Sequence, residues 1–415
     1  MAKEQKIVGI DIGTRYIYTV VGVQRDDLPP VIVGIGRSET HGMRRGNIVS
    51  PEDVIQGLRD SVKEAETAAG VTISSAFIGV GGDHILSLPS KGVIAVSRVD
   101  KQIAEDDVHR VIQATKTVVL PSNREILHAI PNEYVVDDEG GLKDVVGMSG
   151  VRLEANALIV GASSAQIRSL KRCINECNID IKQCVLSVMA ASHAVLTNQH
   201  KELGVVCIDI GGGTTDIAVF EERELIHASV IPIGGDSITN DLALGLRIPV
   251  DSAERIKREH GVATTRGLQR EVVDLKPTNK NEKNQVLRKN IATIINARLG
   301  EIMDLVNKDL RSVGKEALLP GGAVLVGGTA KIPLLKDLCK EELRLPAHIG
   351  VPKETQSNAG ALTDPSYAAA LGLVFWGAEQ QGKHDFGIPT LPQLSFGAMP
   401  TSVGKVRNWL RVFLP

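Results

Sequence analysis

Ile208-Asp209-Ile210-Gly211-Gly212-Gly213-Thr214-Thr215-Asp216 decides the reading of this chain, because a shorter copy, Ile10-Asp11-Ile12-Gly13-Thr14, stands near the N-terminus. Each copy follows an apolar run (7–10 or 205–208) and precedes another (17–23 or 217–220). Two β-rich runs joined by a short glycine-bearing turn predict a hairpin. Glycine lets backbone N–H groups approach an anion, and threonine adds a hydroxyl donor. Aspartate is a hard oxygen ligand of the kind Mg²⁺ takes, here mainly through water from Asp11 and Asp209. Two such tips with matching flanks predict duplicated halves that face each other across a phosphate-bearing ligand.

A second echo supports the duplication. Phe77-Ile78-Gly79-Val80-Gly81-Gly82 resembles Val324-Leu325-Val326-Gly327-Gly328-Thr329, each a strand that ends in Gly-Gly. Asp11 to Gly81 is 70 residues (81 − 11), whereas Asp209 to Gly327 is 118 (327 − 209). The second half therefore carries extra residues before its Gly-Gly, and the first half carries them after. This predicts an α/β fold of two core domains with one insertion each. The first core occupies 1–83 and 163–202, interrupted by an α+β domain at 84–162. The second occupies 203–235 and 301–378, the last stretch of which also returns to the first core, and is interrupted by a smaller lobe at 236–300. Residues 379–402, rich in Gly, Pro, Gln, Ser and Thr, read as a linker.

Helix signals are local and clear. Ser50-Pro51-Glu52-Asp53 reads as N-cap, N1 proline and an acidic first turn, with Val54, Leu58, Val62 and Ala65 on the apolar face. Further helices are predicted at 164–178, 186–198, 235–246, 251–260 and 287–313, and one led by Ala104-Glu105-Asp106-Asp107 inside the insertion. Strands at 128–136 and 151–160 flank an acidic turn there. Residues 261–287 read as polar and irregular.

The chain has 415 residues, 43% hydrophobic and 23% charged, with net charge −2. That fits two to four globular domains and gives no basic excess for nucleic acid. Without an apolar N-terminal region or an 18-residue apolar run, a cytosolic location is expected. Cys173 and Cys177, four apart on a predicted helix, lack a second Cys/His pair and read as reduced thiols rather than a metal site.

Two further segments extend the phosphate reading. Gly234-Gly235 before a helix offers backbone donors. Glu254 and Lys257, three apart on one helical face, suit ribose hydroxyls and the edge of a base. Gly327-Gly328-Thr329 ends a strand in a turn on which adenine can stack. Each alone is more often an ordinary turn or a solvated ion pair; their order and spacing together favour a nucleotide.

With these residues in place, the chain resembles the actin, sugar kinase and heat-shock chaperone ATPase superfamily. Arg124–Tyr134, Gly147–Glu154, Gly204–Val219 and Val406–Arg411 narrow the resemblance to the FtsA family of cell-division proteins. It spans almost the whole chain. The resemblance implies an actin-like fold of duplicated ribonuclease-H-like halves and an insertion after the first Gly-Gly. It also implies ATP and Mg²⁺ as cofactors, with at most slow hydrolysis and no identified catalytic residue. Arg15, Tyr16, Gly211, Gly213, Thr214 and Thr215 join the cofactor-binding set with the residues above. Implied partners are the C-terminal tail of the tubulin-like FtsZ, other division proteins, further copies in a head-to-tail filament, and the cytoplasmic face of the membrane at the septum. The segment 261–287 matches no motif of the family.

The tail is readable by itself. Val406, Trp409, Leu410 and Phe413 fall at i, i+3, i+4 and i+7, with Lys405, Arg407 and Arg411 toward the other face or its borders. An apolar stripe with basic flanks after a linker predicts a helix at 403–415 lying on anionic lipid, against the alternative of a helix docked on the protein's own core. Two other classes use the same fold. A small-molecule kinase needs a cleft base, for which Asp209 or Asp216 are candidates. A pilus-assembly adaptor should lack the basic tail. The lobe at 236–300 carries Arg247, Arg255, Lys257, Arg258, Arg266, Arg270, Arg288, Lys289 and Arg298 and is expected to receive the FtsZ tail.

Overall fold

The structure, a computed structural model, describes residues 4–26, 28–268, 270–275, 285–352 and 363–384. The first half opens as an antiparallel meander of β1 (Glu4–Ile12), β2 (Tyr16–Arg25) and β3 (Val31–Glu39). A small hairpin, β4 (Met43–Arg44) and β5 (Asn47–Ile48), leads into α1 (Pro51–Ala69). Val54, Leu58, Val62 and Ala65 lie on the buried face of α1. Ser50 occupies the N-cap position, but its hydroxyl makes no capping bond. Strand β6 (Ser75–Val80) then pairs parallel with β1.

Strands β7 (Leu86–Ala95), β8 (Arg124–Val136), β9 (Glu139–Leu142) and β10 (Arg152–Ser163), with helix α2 (Glu105–Thr115), form a separate antiparallel sheet ordered β7-β10-β8-β9. Val96, Ile103, Val111, Tyr134, Val136, Val145, Leu153 and Ala155 make its own small core. Asp137 and Asp138 both take positive φ, 45° and 73°, which closes a two-residue turn and creates β9. The sequence pattern shows the turn but not this short strand.

The chain returns through α3 (Ser164–Asn175), β11 (Asp180–Leu186), α4 (Ser187–Val195) and α5 (Asn198–Leu203). One helix expected at 186–198 is instead two, because Thr197 caps a second one, its hydroxyl accepting from His200 N–H at 3.1 Å. The first core sheet is ordered β11-β6-β1-β2-β3.

The second half repeats this plan. Strands β12 (Val205–Ile210), β13 (Thr215–Glu221) and β14 (Glu224–Ile231) form the meander. The lobe follows as α6 (Gly235–Leu246), α7 (Val250–His260), β15 (Val272–Asp274), β16 (Gln285–Leu287) and α8 (Arg288–Ser312). Then come β17 (Ala323–Val326), α9 (Leu335–Leu343), β18 (Ala347–Ile349) and α10 (Ala368–His384). The sheet order β14-β13-β12-β17-β18 has the same senses as the first: antiparallel through the meander, parallel beyond it. β15 and β16 pair within the stretch that reads as irregular, each too short to show alternation.

Strand β12 is buried on both faces. Val205 and Cys207 join the core that holds α4 and α10, while Val206, Ile208 and Ile210 join the core of α6, α8 and α9. Hence its unbroken apolar run. Helices α4 and α10 touch where a Cβ on Gly372 would stand 1.7 Å from the Ala190 carbonyl oxygen. Helix α10 runs to His384, into the segment read as a linker, whose first proline is only Pro389. Among the described residues, no helix is long and apolar enough to cross a membrane.

Candidate functional site

Both hairpin tips close alike, by Gly13 N–H to Tyr16 O at 3.0 Å and Gly211 N–H to Thr214 O at 2.9 Å, and both face one cleft of about 390 Å³. The structure brings Asp11, Gly13, Thr14, Arg15, Tyr16, Asp209, Gly211, Gly212, Thr214, Gly235, Glu254, Lys257, Gly327, Gly328 and Thr329 to its walls. Gly213, Thr215 and Gly234 do not line it. The buried Thr215 hydroxyl donates instead to Ile233 O at 2.8 Å. A Cβ on Gly234 would meet Gly212 O at 2.6 Å, and one on Gly213 would meet Thr14 Oγ1 at 2.7 Å. These three shape the tips from behind.

The floor of the cleft holds three carboxylates. Asp11 accepts from Ser187 Oγ at 2.9 Å. Its Oδ1 lies 2.5 Å from where a Gly79 Cβ would stand, and Asp209 Oδ1 lies 2.3 Å from the equivalent point on Gly327. Each aspartate therefore needs a glycine at the end of the neighbouring parallel strand. Asp216 sits opposite Asp209 on the β12–β13 ladder. Burial pushes Asp11 above the usual carboxylate range, and pushes Asp209 well above it with the charges of Asp216 and Asp11 adding. Burial raises Asp216 to about 7 against an opposing hydrogen bond from Thr214. Asp216 Oδ1 is buried with no partner among the described residues. A cluster of hard oxygens with an orphaned acceptor fits a divalent cation. Among the described residues, no three Asp, Glu, His or Cys side chains converge to hold a metal by themselves. Such an ion would draw its remaining ligands from water and ligand oxygens.

The wall is tied across the two halves. Arg15, on the first hairpin, donates from Nε to Asp236 in the first turn of α6 at 2.6 Å and lies 3.9 Å from Glu254. Glu254 meets Lys257 at 2.7 Å, and Lys257 Nζ also donates to Gly235 O at 3.0 Å and Thr239 Oγ1 at 2.8 Å. Burial raises Glu254, but Lys257, Thr239 and Arg15 outweigh it and hold its carboxyl below the usual range. The i,i+3 pair is thus part of the cleft rather than a solvated helical pair. Arg37 stacks on the Tyr16 ring at 4.6 Å and, with Tyr18 and Ser366, extends the wall. Sequence reasoning missed Ser187, Arg37, Asp236 and Ser366. Only Asp236 was within reach, as the residue directly after Gly234-Gly235.

The basic set on the 236–300 lobe divides by what each side chain touches. Arg298 is committed to Asp241 at 2.6 and 2.9 Å and to Glu301. Arg288 is held by Glu271 at 2.8 Å and His260 O, Arg266 by Glu341 at 2.8 Å, and Arg255 by Leu275 O. Arg258 lines the cleft. Arg247, Arg270 and Lys289 are exposed. The tail residues Val406, Arg407, Trp409, Leu410, Arg411 and Phe413 lie outside the described residues. Cys173 and Cys177 both point their thiols at α1 carbonyls, Pro51 O and Ile55 O.

Comparison with known proteins agrees with this architecture. Residues 206–372 match the family described as cell division protein FtsA, and residues 82–161 match the SHS2 domain inserted in FtsA. The cell division protein FtsA of Pseudomonas aeruginosa is 36% identical over 376 residues, 90% of each chain. That of Neisseria meningitidis is 34% identical over 420 residues, 99% of each. Among solved structures, a PilM–PilN type IV pilus biogenesis complex aligns with a TM-score of 0.65 at 15% identity, covering 90% of this chain and 98% of that one. MreB5 of Spiroplasma citri bound to ADP aligns at 0.57 and 14%, covering 92% and 99%. The fold is actin-like, and with more than a third of its residues shared along nine-tenths of its length with one such relative, the chain belongs to the FtsA family of cell division proteins.

Proposed function

We propose that this protein binds MgATP in the cleft between its halves and, as an actin-like filament on the cytoplasmic face of the membrane, tethers FtsZ at the division septum and recruits later division proteins. The observation that carries the nucleotide reading is the convergence of both hairpin tips, the Glu254–Lys257 pair and Gly327-Gly328 on one cleft floored by buried carboxylates. Backbone N–H groups at the tips would hold phosphates, Glu254 and Lys257 the ribose side, and Gly327-Gly328 the base. Asp11, Asp209 and Asp216 would hold Mg²⁺ mainly through its waters, and the ion would neutralise phosphate charge. MreB5 of the same fold is described with ADP and with AMPPNP, which supports this reading.

Residues 84–162 act as a subunit-contact domain, 236–300 as the lobe that receives the FtsZ tail, and 403–415 as a membrane helix joined by a linker that follows α10. For the FtsZ tail, the exposed Arg247, Arg270 and Lys289 are the residues to test. Three basic side chains contribute roughly 1 kcal/mol each on anionic lipid, so one tail binds weakly and a filament of many tails binds durably. Co-sedimentation with anionic vesicles, with and without MgATP, tests the membrane and nucleotide parts of this reading. The full chain should sediment, more so with MgATP. A chain stopped at Ser402 and a Trp409→Glu variant should stay in solution with nucleotide affinity intact. Sedimentation of the shortened chain would place the anchor elsewhere.

A further inference from the structure

We propose that Ser187 is the positioning residue for the Asp11 carboxylate, and that strand β8 of the insertion holds Ser187 in place through His128. Load on the insertion is then felt at the cleft floor. The inference rests on the MgATP reading of that cleft.

The chain of contacts is short and buried. His128, on β8, is 9% exposed, and its Nε2 accepts from the Leu186 backbone N–H at 3.1 Å. Leu186 ends β11, and the next residue, Ser187, starts α4. Ser187 Oγ then donates to Asp11 at 2.9 Å. Three consecutive links thus join the insertion to the cleft without an exposed group. An imidazole that accepts at Nε2 must be neutral there, and burial pushes His128 down to about 4, so it stays neutral through the physiological range.

The geometry leaves little slack. A Cβ on Gly79 would stand 2.5 Å from Asp11 Oδ1 and 2.7 Å from Ser187 Oγ, so the two side chains fill the glycine's space. A shift of Ser187 therefore moves the carboxylate or breaks its bond. The insertion also grips the other half. Ser87 Oγ donates to Ala228 O of β14 at 2.5 Å and accepts from Ala228 N–H at 3.4 Å. The Asn132 amide, turned to donate, reaches Leu225 O at 3.2 Å, and Lys143 meets Glu222 at 3.4 Å. A domain rooted in one half and seated on the other must respond to the angle between them. Coupling of this kind is reciprocal: ligand in the cleft has to alter the insertion, as load on the insertion alters the cleft.

The test measures ATP affinity with saturating Mg²⁺ and with chelator, and takes the ratio as the Mg²⁺ enhancement. Ser187→Ala and His128→Leu should each cut that enhancement roughly tenfold, as loss of a hydrogen bond to a charged group implies. His128→Gln, which keeps an acceptor, should restore it. In the unaltered protein, MgATP should slow exchange of the Leu186 amide hydrogen and of β8. Unchanged enhancement in Ser187→Ala, or an enhancement lost in His128→Leu but not regained in His128→Gln, would overturn the proposal. So would Leu186 exchange indifferent to MgATP, a measurement that needs no variant and stands if His128→Leu fails to fold. Failure of the unaltered protein to bind ATP at all would instead sink the nucleotide reading.

Discussion

Asp11 and Asp209 stand at the same place in their two halves, one rung before the hairpin tip and beside a glycine on the parallel neighbour strand. Their support differs. Asp11 accepts from Ser187 at 2.9 Å, whereas Asp209, among the described residues, has no side-chain donor and faces Asp216 across the ladder. The half that carries the insertion fixes its carboxylate by a hydrogen bond. The half that carries the smaller lobe gives Asp216 a hydrogen bond from Thr214 but, among the described residues, gives Asp209 no such donor. Duplicated backbone topology therefore does not mean duplicated electrostatics. The first half is pre-set, and the second awaits charge from a ligand.

The largest expected effect separates the two tips. A Cβ on Gly13 would meet only Tyr16 O of its own hairpin, at 2.9 Å, but one on Gly212 would meet Arg15 Cγ of the opposite half at 2.8 Å. Gly212→Val should both block backbone approach to phosphate and displace Arg15 from Asp236. Losing two or more charge-assisted hydrogen bonds implies at least a roughly 100-fold loss of ATP affinity. Circular dichroism should report an intact fold. Titration calorimetry showing near-normal affinity would remove the second tip from the site.

Next comes the carboxylate asymmetry, read through pH in the absence of nucleotide and Mg²⁺. An unfolded aspartate loses its proton near 3.8, while Asp216 holds it to about 7. Between those values the native state binds the extra proton, so stability falls as pH rises through this window. Asp216→Asn removes that loss. The variant should be more stable than the parent at pH 8, by an amount approaching about 4 kcal/mol as an upper bound. The gap should close as pH falls below 7 toward 4. Asp11→Asn should gain less, because it weakens the Ser187 bond. Urea unfolding from pH 5 to 8 measures both, and a gap independent of pH would contradict the reading of Asp216 as a buried carboxyl that keeps its proton to about 7. His128 runs the other way: its pKa is about 4 against 6.5 unfolded, so its contribution is present above 6.5 and lost as pH falls toward 4.

The smallest effect concerns the pair that joins the halves. Arg15 and Asp236 meet at 2.6 Å with side chains 40% and 29% exposed. Solvent screening limits such a pair to about 1 kcal/mol or less. Arg15→Ala should therefore barely move the melting temperature of the nucleotide-free protein, yet reduce the rise in melting temperature that MgATP produces. A large drop without nucleotide would mean that the pair holds the cleft shut by itself.

What sequence alone determined is local. The hairpins at β1–β2 and β12–β13, α1, α6 and α8 were legible because alternation, helical spacing and turn residues act within a few residues of each other. The duplication into two core domains with one insertion each was legible because a repeated motif at unequal spacing is a property of the string; the actin-like class came from the family resemblance. The short strands β9, β15 and β16 were not, since three or four residues carry too little periodicity to read. The meeting of Ser187 with Asp11, residues 176 apart, and of Arg15 with Asp236, 221 apart, was decided only by tertiary structure. Nothing near Ser187 marks it as a cleft residue. Its place follows from β11 lying beside β6 and β6 beside β1, a pairing that buries apolar faces and takes no account of the hydroxyl at its end.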